Sequence, residues 1–172
     1  MNWIAFVNRS SVSQTLGTSA WRALCIFAWL IAAANVSQAA DRTYVNPRFG
    51  TTITYPDAIF TTQDPAPENG DGARWRAADG AELAVWGQNN VLDSTPESLA
   101  DEIAATIEMV TYRKVGARWM VVSGYDGDIV VYHRAEIGSD DVIHSFELRY
   151  PSSLSKHYDA LAGKIADSLI GP

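Results

Sequence analysis

The sequence predicts an α+β fold, an antiparallel β-sheet flanked by helices in an α/β/α sandwich, with element order roughly β-β-β-α-β-β-β-β-α. Three observations lead to this prediction. Several segments alternate apolar and polar residues with the period of two expected of strands. Short turn-forming dipeptides separate these segments, and two longer segments carry apolar residues at helical spacing. Because tight turns join antiparallel strands, whereas parallel strands need long crossovers, we expect an antiparallel sheet.

The first 39 residues are predicted to be a signal peptide that is removed. An apolar run occupies residues 23 to 34, and the small residues Ser37 and Ala39 follow it at signal-peptidase spacing. The run is shorter than the roughly 20 apolar residues that span a bilayer as a helix. Cleavage after Ala39 would leave residues 40–172 as a single domain, exported to the periplasm or secreted. It would also remove Cys25, the only cysteine.

The charge of the mature chain excludes some classes of partner. Removing Arg9 and Arg22 from the 13 basic residues leaves 11 against 20 acidic ones, a net charge of −9. Nucleic-acid binding needs clustered Lys and Arg, and the longest basic run is Arg113-Lys114. We therefore expect no nucleic-acid partner and, after signal cleavage, no stable membrane insertion.

The N-terminal half of this domain contains three predicted strands. The first covers residues 49–56, and its apolar side begins at Phe49 and ends at Tyr55. Residues 57–73 lose the alternation and are predicted to be a surface connection. Within them Gly70-Asp71-Gly72 lacks the Lys and Ser/Thr of a phosphate-binding loop, and the surrounding acidic residues lack the EF-hand order, so we interpret this loop as solvated turns. Two short strands then follow about Asp79-Gly80.

Two helices and four further strands complete the prediction. The first helix covers residues 94–110, where Ser94 and Glu97 have capping-box spacing. Strands are expected at residues 111–115, 119–125, 129–137 and 142–150, and Asp126-Gly127 and Ser139-Asp140 mark the last two turns. The final helix carries an apolar stripe: Leu154, Tyr158, Leu161, Ile165 and Leu169.

Two segments of the chain resemble a known family. Residues 44–56 read YVNPRFGTTITYP, and residues 146–169 form a strand that leads into Tyr158-Asp159 and a helix. Both segments resemble those of the PsbP-like α/β/α sandwich superfamily, and in particular its small exported proteobacterial members of unknown function. The resemblance covers roughly residues 44–170. It implies a non-enzymatic binding or assembly role and supplies no catalytic residue.

The histidines offer a candidate metal site. If Ser139-Asp140 is a two-residue turn, Ile137 pairs with Val142, and His133 and His144 become diagonal neighbours on one face, roughly 7–8 Å apart. Two imidazoles at that distance could approach one metal ion. The alternative is that both are hydrogen-bonded histidines on an otherwise apolar face, since no third ligand is identifiable. A register shift of one residue would separate them.

The opposite face of the same strands offers a candidate binding surface, with Tyr132, Arg134, Glu147 and Arg149 on it. If Asp126-Gly127 is a two-residue turn, Trp119 lies across from Arg134 as a cation–π pair. An aromatic and charged sheet face can bind a ligand or a partner. The alternative is that a helix or solvent covers this face.

These features predict an exported, soluble, non-enzymatic binding or assembly module of the cell envelope. Its partner would be an envelope protein or a small ligand, and no cofactor is expected. The alternative function is a metal-dependent or hydrolytic site centred on His133 and His144. A hydrolase has little support from the sequence, because it lacks a G-x-S-x-G nucleophile elbow.

Overall fold

The computed structural model of the chain describes residues 40–172, so the predicted signal peptide lies outside the described residues. In chain order the elements are β1 (Asp41–Val45), β2 (Thr52–Pro56), β3 (Thr62–Gln63), β4 (Gly72–Arg76), β5 (Glu82–Asn89), α1 (Pro96–Ala104), β6 (Met109–Val115), β7 (Trp119–Asp126), β8 (Ile129–Ile137), β9 (Val142–Pro151) and α2 (Ser155–Asp167). A single 3-10 turn, Ser152–Leu154, precedes α2. Among these elements, no helix has the length and apolar character that crossing a membrane requires.

The main sheet is antiparallel and has seven strands in the order β3-β4-β5-β9-β8-β7-β6. Strands β1 and β2 form a separate antiparallel hairpin. Helix α1 packs on one face of the sheet, and helix α2 packs on the other face together with the hairpin. We call these the α1 face and the α2 face. The predicted α+β class is confirmed, and β1 and β3 are strands in addition to those predicted.

Two apolar clusters hold the layers together. The larger lies between the α2 face, α2 and the hairpin, and Ile53, Phe146 and Tyr158 are fully buried in it. The smaller joins α1 to the sheet through Leu99, Met120 and neighbouring residues. Full burial of one such side chain stabilises the fold by about 1.5–3 kcal/mol. The sheet is therefore fixed from both sides, although α1 has only nine residues.

Helix α1 begins one residue later than predicted. Its N-cap is Thr95, whose Oγ1 accepts a hydrogen bond from the Ser98 amide at 3.2 Å, while the Thr95 amide donates to Ser98 Oγ at 3.0 Å. The predicted box of Ser94 and Glu97 is therefore wrong. Ser94 is held ahead of the helix because its amide donates to Asn90 Oδ1 at 2.8 Å.

The connection between β8 and β9 has one residue more than predicted. The Gly138 amide donates to the carbonyl of Val142, which leaves three turn residues, Ser139 to Asp141. Asp141 adopts a φ of 61°, a left-handed conformation that Asp tolerates better than most residues. Ile137 consequently pairs with Ile143, and the predicted pairing with Val142 is wrong by one residue. A shift of one residue sends every β9 side chain to the opposite face.

The turn between β7 and β8 also differs from prediction, but with a smaller consequence. Its two residues are Gly127 and Asp128, flanked by the pair Asp126 and Ile129. Gly127 has a φ of 58°, so glycine occupies the first central position, where hairpin turns of type II′ require it. Trp119 therefore lies opposite Glu136 instead of Arg134. The shift equals two residues, so the faces remain as predicted.

The glycine-rich connection before β4 contains a turn, as its composition suggested. The Gly70 amide donates to the Pro67 carbonyl at 3.0 Å, and Gly70 has a φ of 65°. Asn46 Nδ2 donates to the Gly70 carbonyl at 3.0 Å and ties the turn to the β1–β2 hairpin. A Cβ at Gly72 would lie 2.1 Å from the Val85 carbonyl oxygen, so this glycine permits close strand pairing.

Candidate functional site

The register divides the predicted binding residues between the two faces of the sheet. Trp119, Tyr132 and Arg134 lie on the α2 face, whereas Glu147 and Arg149 lie on the α1 face. The cause is the third residue of the β8–β9 turn, which inverts β9 relative to β8. The prediction that these five residues share one surface is wrong. That either group binds a ligand or partner stays a prediction.

The same inversion separates the two histidines. His133 lies on the α1 face, where its Nδ1 is 3.5 Å from Glu147 Oε2 and its ring packs edge-on against Trp86 at 5.3 Å between centroids. His144 lies on the α2 face, fully buried, with Nδ1 2.8 Å from Thr51 Oγ1. The prediction that both histidines lie on one face is wrong. They cannot bind one metal ion together, because the sheet lies between them.

The part of the α1 face that α1 leaves open is rich in paired charges. We call it the charged sheet face, and its main side chains are Arg74, Arg76, Glu82, Trp86, Glu147 and Arg149. A groove of about 550 Å³ runs along it.

Most of these charges already have partners. Arg76 pairs with Glu82 and with Asp64, the latter at 3.0 Å, and Arg149 pairs with Asp126 at 2.7 Å. The contact with His133 holds the pKa of the Glu147 carboxyl below its usual range, helped by the nearby charges of Arg149 and Arg74, although burial opposes the shift. A face whose charges satisfy one another leaves few groups free for a ligand.

A second groove, of about 490 Å³, lies between the α2 face and α2 itself. We call it the tyrosine groove. Its floor contains four tyrosines, and helix α2 supplies one wall. The floor residues are Tyr112, Tyr125, Tyr132 and Tyr150, and the wall residues are Asp159, Ala162 and Gly163. The volume is in the range of small-molecule and peptide-side-chain sites.

A β-bulge puts Tyr112 into this groove. The pairing of β6 with β7 is regular up to Val110 and Gly124, skips Thr111, and resumes at Tyr112 and Ser123. Without the extra residue, Tyr112 would lie on the α1 face. With it, Tyr112 joins the tyrosines, and Arg113 turns to the α1 face, where it binds Glu97 at 2.6 Å and Asp101 at 2.8 Å. Bulges commonly redirect a side chain in this way next to functional sites.

The tyrosines deeper in the groove are ordered by packing and by one strong hydrogen bond. Tyr132 stacks on Phe146 with centroids 5.8 Å apart, and the Tyr150 hydroxyl donates to Asp159 Oδ1 at 2.8 Å. Burial raises the pKa of Tyr132, and burial together with Asp159 raises the pKa of Tyr150. Both phenols therefore stay neutral at physiological pH.

On the α2 face but outside the lining of the groove, Trp119 contacts two cations. The Arg134 guanidinium lies 5.1 Å from the Trp119 ring centroid, and Lys114 Nζ lies 5.6 Å from it. The predicted cation–π pair of Trp119 and Arg134 is confirmed, although Arg134 reaches the ring diagonally. The ring has room because Gly116 carries no side chain: a Cβ there would be 2.3 Å from Trp119 Nε1.

Three of the four groove tyrosines were missed by sequence reasoning. The candidate binding residues predicted from the sequence include Tyr132 but not Tyr112, Tyr125 or Tyr150. A signal was available, because four of the chain's seven tyrosines fall on the four strands after α1. The bulge at Thr111 was not readable from the residues.

Comparison with known proteins gave a structural match only. No protein-family model and no curated protein matched the sequence. The solution structure of cyanobacterial PsbP (CyanoP) from Synechocystis sp. PCC 6803 matches with a TM-score of 0.58 and 12% sequence identity, covering 83% of this chain and 99% of that chain. At this identity the likeness concerns the fold and does not bear on the proteobacterial members. The chain therefore has a PsbP-like fold.

Proposed function

We propose that the chain is an exported, non-enzymatic binding or assembly module of the cell envelope, and that it receives its partner in the tyrosine groove. The observation that carries the proposal is the convergence of four tyrosines opposite a helix wall of small residues. Tyrosine offers a large contact area at low conformational cost, together with a hydroxyl that can donate or accept. Such residues are enriched where proteins bind one another.

The exposure of the groove supports its use. Tyr112 is 50% exposed, although it is a large aromatic residue. On the helix wall, a Cβ built at Gly163 meets nothing within 4 Å, so the groove is open there. By contrast, the charged sheet face has its arginines paired with carboxylates, and a ligand there would have to break existing ion pairs.

The proposed location is the periplasm or the outside of the cell. It rests on the apolar run at residues 23–34 and the small residues Ser37 and Ala39 that follow it. A net charge of −9 after cleavage favours a protein or small ligand over nucleic acid.

Site-specific photo-cross-linking in living cells tests the proposal. The photoreactive p-benzoylphenylalanine replaces Tyr112 in one variant of the full-length protein and Gln88 in a matched control. Both positions are exposed, but Gln88 belongs to the groove on the charged sheet face. We expect a discrete cross-linked envelope partner from position 112 and none from position 88. Cross-links from position 88 alone would assign binding to the charged sheet face and overturn the proposal.

A further inference from the structure

Strand β6 is an open edge of the seven-stranded sheet. It pairs with β7 on one side, and its outer side has no strand partner among residues 40–172. Its residues from 109 to 114 are all exposed, including Met109, Val110 and Tyr112. The opposite edge strand, β3, has only two residues. An edge of this length presents a row of unpaired backbone N–H and C=O groups that can accept another strand.

This edge adjoins the tyrosine groove. Thr111 and Tyr112 of β6 line the groove, so a segment paired with β6 would lie along its mouth. Side chains of a strand alternate between faces. Every second side chain of the added segment would therefore point towards Tyr112 and Lys114, and the others towards α1.

We propose that β6 accepts an extended segment of a partner protein as an eighth strand, with acidic or aromatic side chains on the groove side and basic ones on the α1 side. This inference rests on the proposed function, because it puts the partner at the mouth of the same groove. Pairing through the backbone supplies affinity, and the alternate side chains supply specificity.

The charges beside the edge determine the pattern of the segment. On the groove side, Lys114 contacts the Trp119 ring and forms no ion pair with a carboxylate within residues 40–172. On the α1 side, a single guanidinium, that of Arg113, faces two carboxylates, Glu97 and Asp101. The groove side therefore favours an acidic side chain, and the α1 side favours a basic one.

A second copy of this chain fits the edge poorly. Directly opposite residues of an antiparallel pair share a face, and like charges there are destabilising. Pairing β6 with itself about Arg113 sets two guanidinium groups opposite each other, and pairing about Lys114 does the same with two ammonium groups. Pairing about Tyr112 brings Arg113 against the bulged Thr111. The bulge limits the regular edge to residues 112–115, which suits a short segment.

Binding of a synthetic peptide tests the inference. The probe is the nine-residue peptide KETYKETYK, and the control has the same composition arranged in blocks, KKKTTYYEE. The protein is the predicted mature chain, residues 40–172. We expect the alternating peptide to slow amide exchange in β6 and to bind at least about tenfold more tightly than the block peptide, a difference of about 1.4 kcal/mol. Equal binding of both peptides, or no binding, would overturn the proposal.

Proline substitutions in β6 distinguish binding through backbone hydrogen bonds from binding through side chains. Successive N–H groups of β6 point alternately towards β7 and away from it. In one of the two variants Arg113→Pro and Lys114→Pro, the proline therefore removes an N–H that points away from β7. We expect that variant to keep a melting temperature close to that of the wild type. We expect it to lose peptide binding, whereas its alanine counterpart retains most of it. Equal binding by the stable proline variant and its alanine counterpart would contradict strand addition.

Other results of these experiments also decide between the proposals. If neither proline variant stays folded, amide exchange decides instead: slowing confined to β6 supports strand addition, and unchanged exchange refutes it. If the wild-type protein forms a homodimer and the stable proline variant is a monomer, the edge pairs with a second copy of this chain, and the proposal of a partner segment is refuted. If blocking the groove abolishes partner capture in cells while the stable proline variant retains capture, the groove proposal stands and the edge proposal fails.

Discussion

Filling the tyrosine groove from the helix side should stabilise the protein and abolish partner binding. Gly163 lies inside α2, and a Cβ at this position meets no atom within 4 Å. Glycine within a helix is unfavourable because its backbone loses more conformational freedom on folding than that of any other residue. Gly163→Leu therefore removes a destabilising residue and projects an apolar side chain into the groove.

The expected stabilisation follows from helix propensity. Ala is favoured over Gly within a helix by about 0.8–1.0 kcal/mol, and Leu is close to Ala. Since nothing surrounds the new Cβ, no steric cost offsets this gain. A change of about 1 kcal/mol raises the melting temperature of a domain of this size by about 3–5 °C. Gly163→Ala should give a similar rise with only a methyl group in the groove.

Thermal melts and the cross-link from position 112 are measured on four proteins: wild type, Gly163→Ala, Gly163→Leu and Ala160→Leu. Ala160 is exposed on the same helix and controls for a new leucine on α2. We expect both Gly163 variants to melt higher and only Gly163→Leu to lose the cross-link. A destabilised Gly163→Leu would refute the open geometry, and a stable variant with an undiminished cross-link would refute the groove as the binding site.

Three further predictions concern other parts of the molecule. Burial lowers the pKa of His144 below 6.5, outweighing the nearby carboxylates, so the unfolded chain binds more protons than the folded one at mildly acidic pH. Its contribution to stability is complete above pH 6.5 and is lost as the pH falls. Melts at pH 7.5 and 5.5 should therefore show a larger drop for wild type than for His144→Gln, and an NMR titration of His144 at or above 6.5 would contradict this. Gly124→Ala would bring a Cβ within 2.1 Å of the Met109 carbonyl oxygen. We therefore expect chemical denaturation to show a free energy of unfolding lower by about 1–3 kcal/mol, together with loss of the cross-link from position 112 in β6. A variant as stable as the wild type would exclude the close pairing of β6 with β7. A double-mutant cycle on Trp119→Ala and Arg134→Ala should give a coupling energy of about 0.5–2 kcal/mol, and additive effects would mean that the cation–π contact contributes nothing.

Periodicity in the sequence located most elements, but it missed β1 and β3 and extended the first helix to residue 110, whereas α1 ends at Ala104 and β6 begins at Met109. Residues 129–137 were predicted as a strand and form β8 with those bounds. The stripe of the final helix is correct in part: Tyr158 and Ile165 are buried within α2, Leu161 is partly buried, and Leu154 and Leu169 lie just outside the helix. These predictions succeed because alternation and helical spacing reflect burial over many residues, and burial accounts for most of the folding energy.

The candidate site could not be predicted because it depends on conformations at single residues. Asp141 and Gly127 both adopt positive φ, but an Asp-Asp or Asp-Gly sequence does not specify which residue does so. The bulge at Thr111 is likewise a local event with no compositional signature. Each choice shifts the register, and the register decides which side chains meet.

The turn between β8 and β9 determines which β9 residues enter the hydrophobic core, because it sets the pairing of the two strands. The pairing of Ile137 with Ile143 puts Phe146 and Leu148 in the larger core cluster, whereas pairing of Ile137 with Val142 would turn both side chains out of it. Replacing Asp141 by glycine would preserve the turn, because glycine accepts positive φ freely. A β-branched residue at position 141 would instead resist the positive φ, so the conformation of this one residue helps to determine which β9 side chains enter the core.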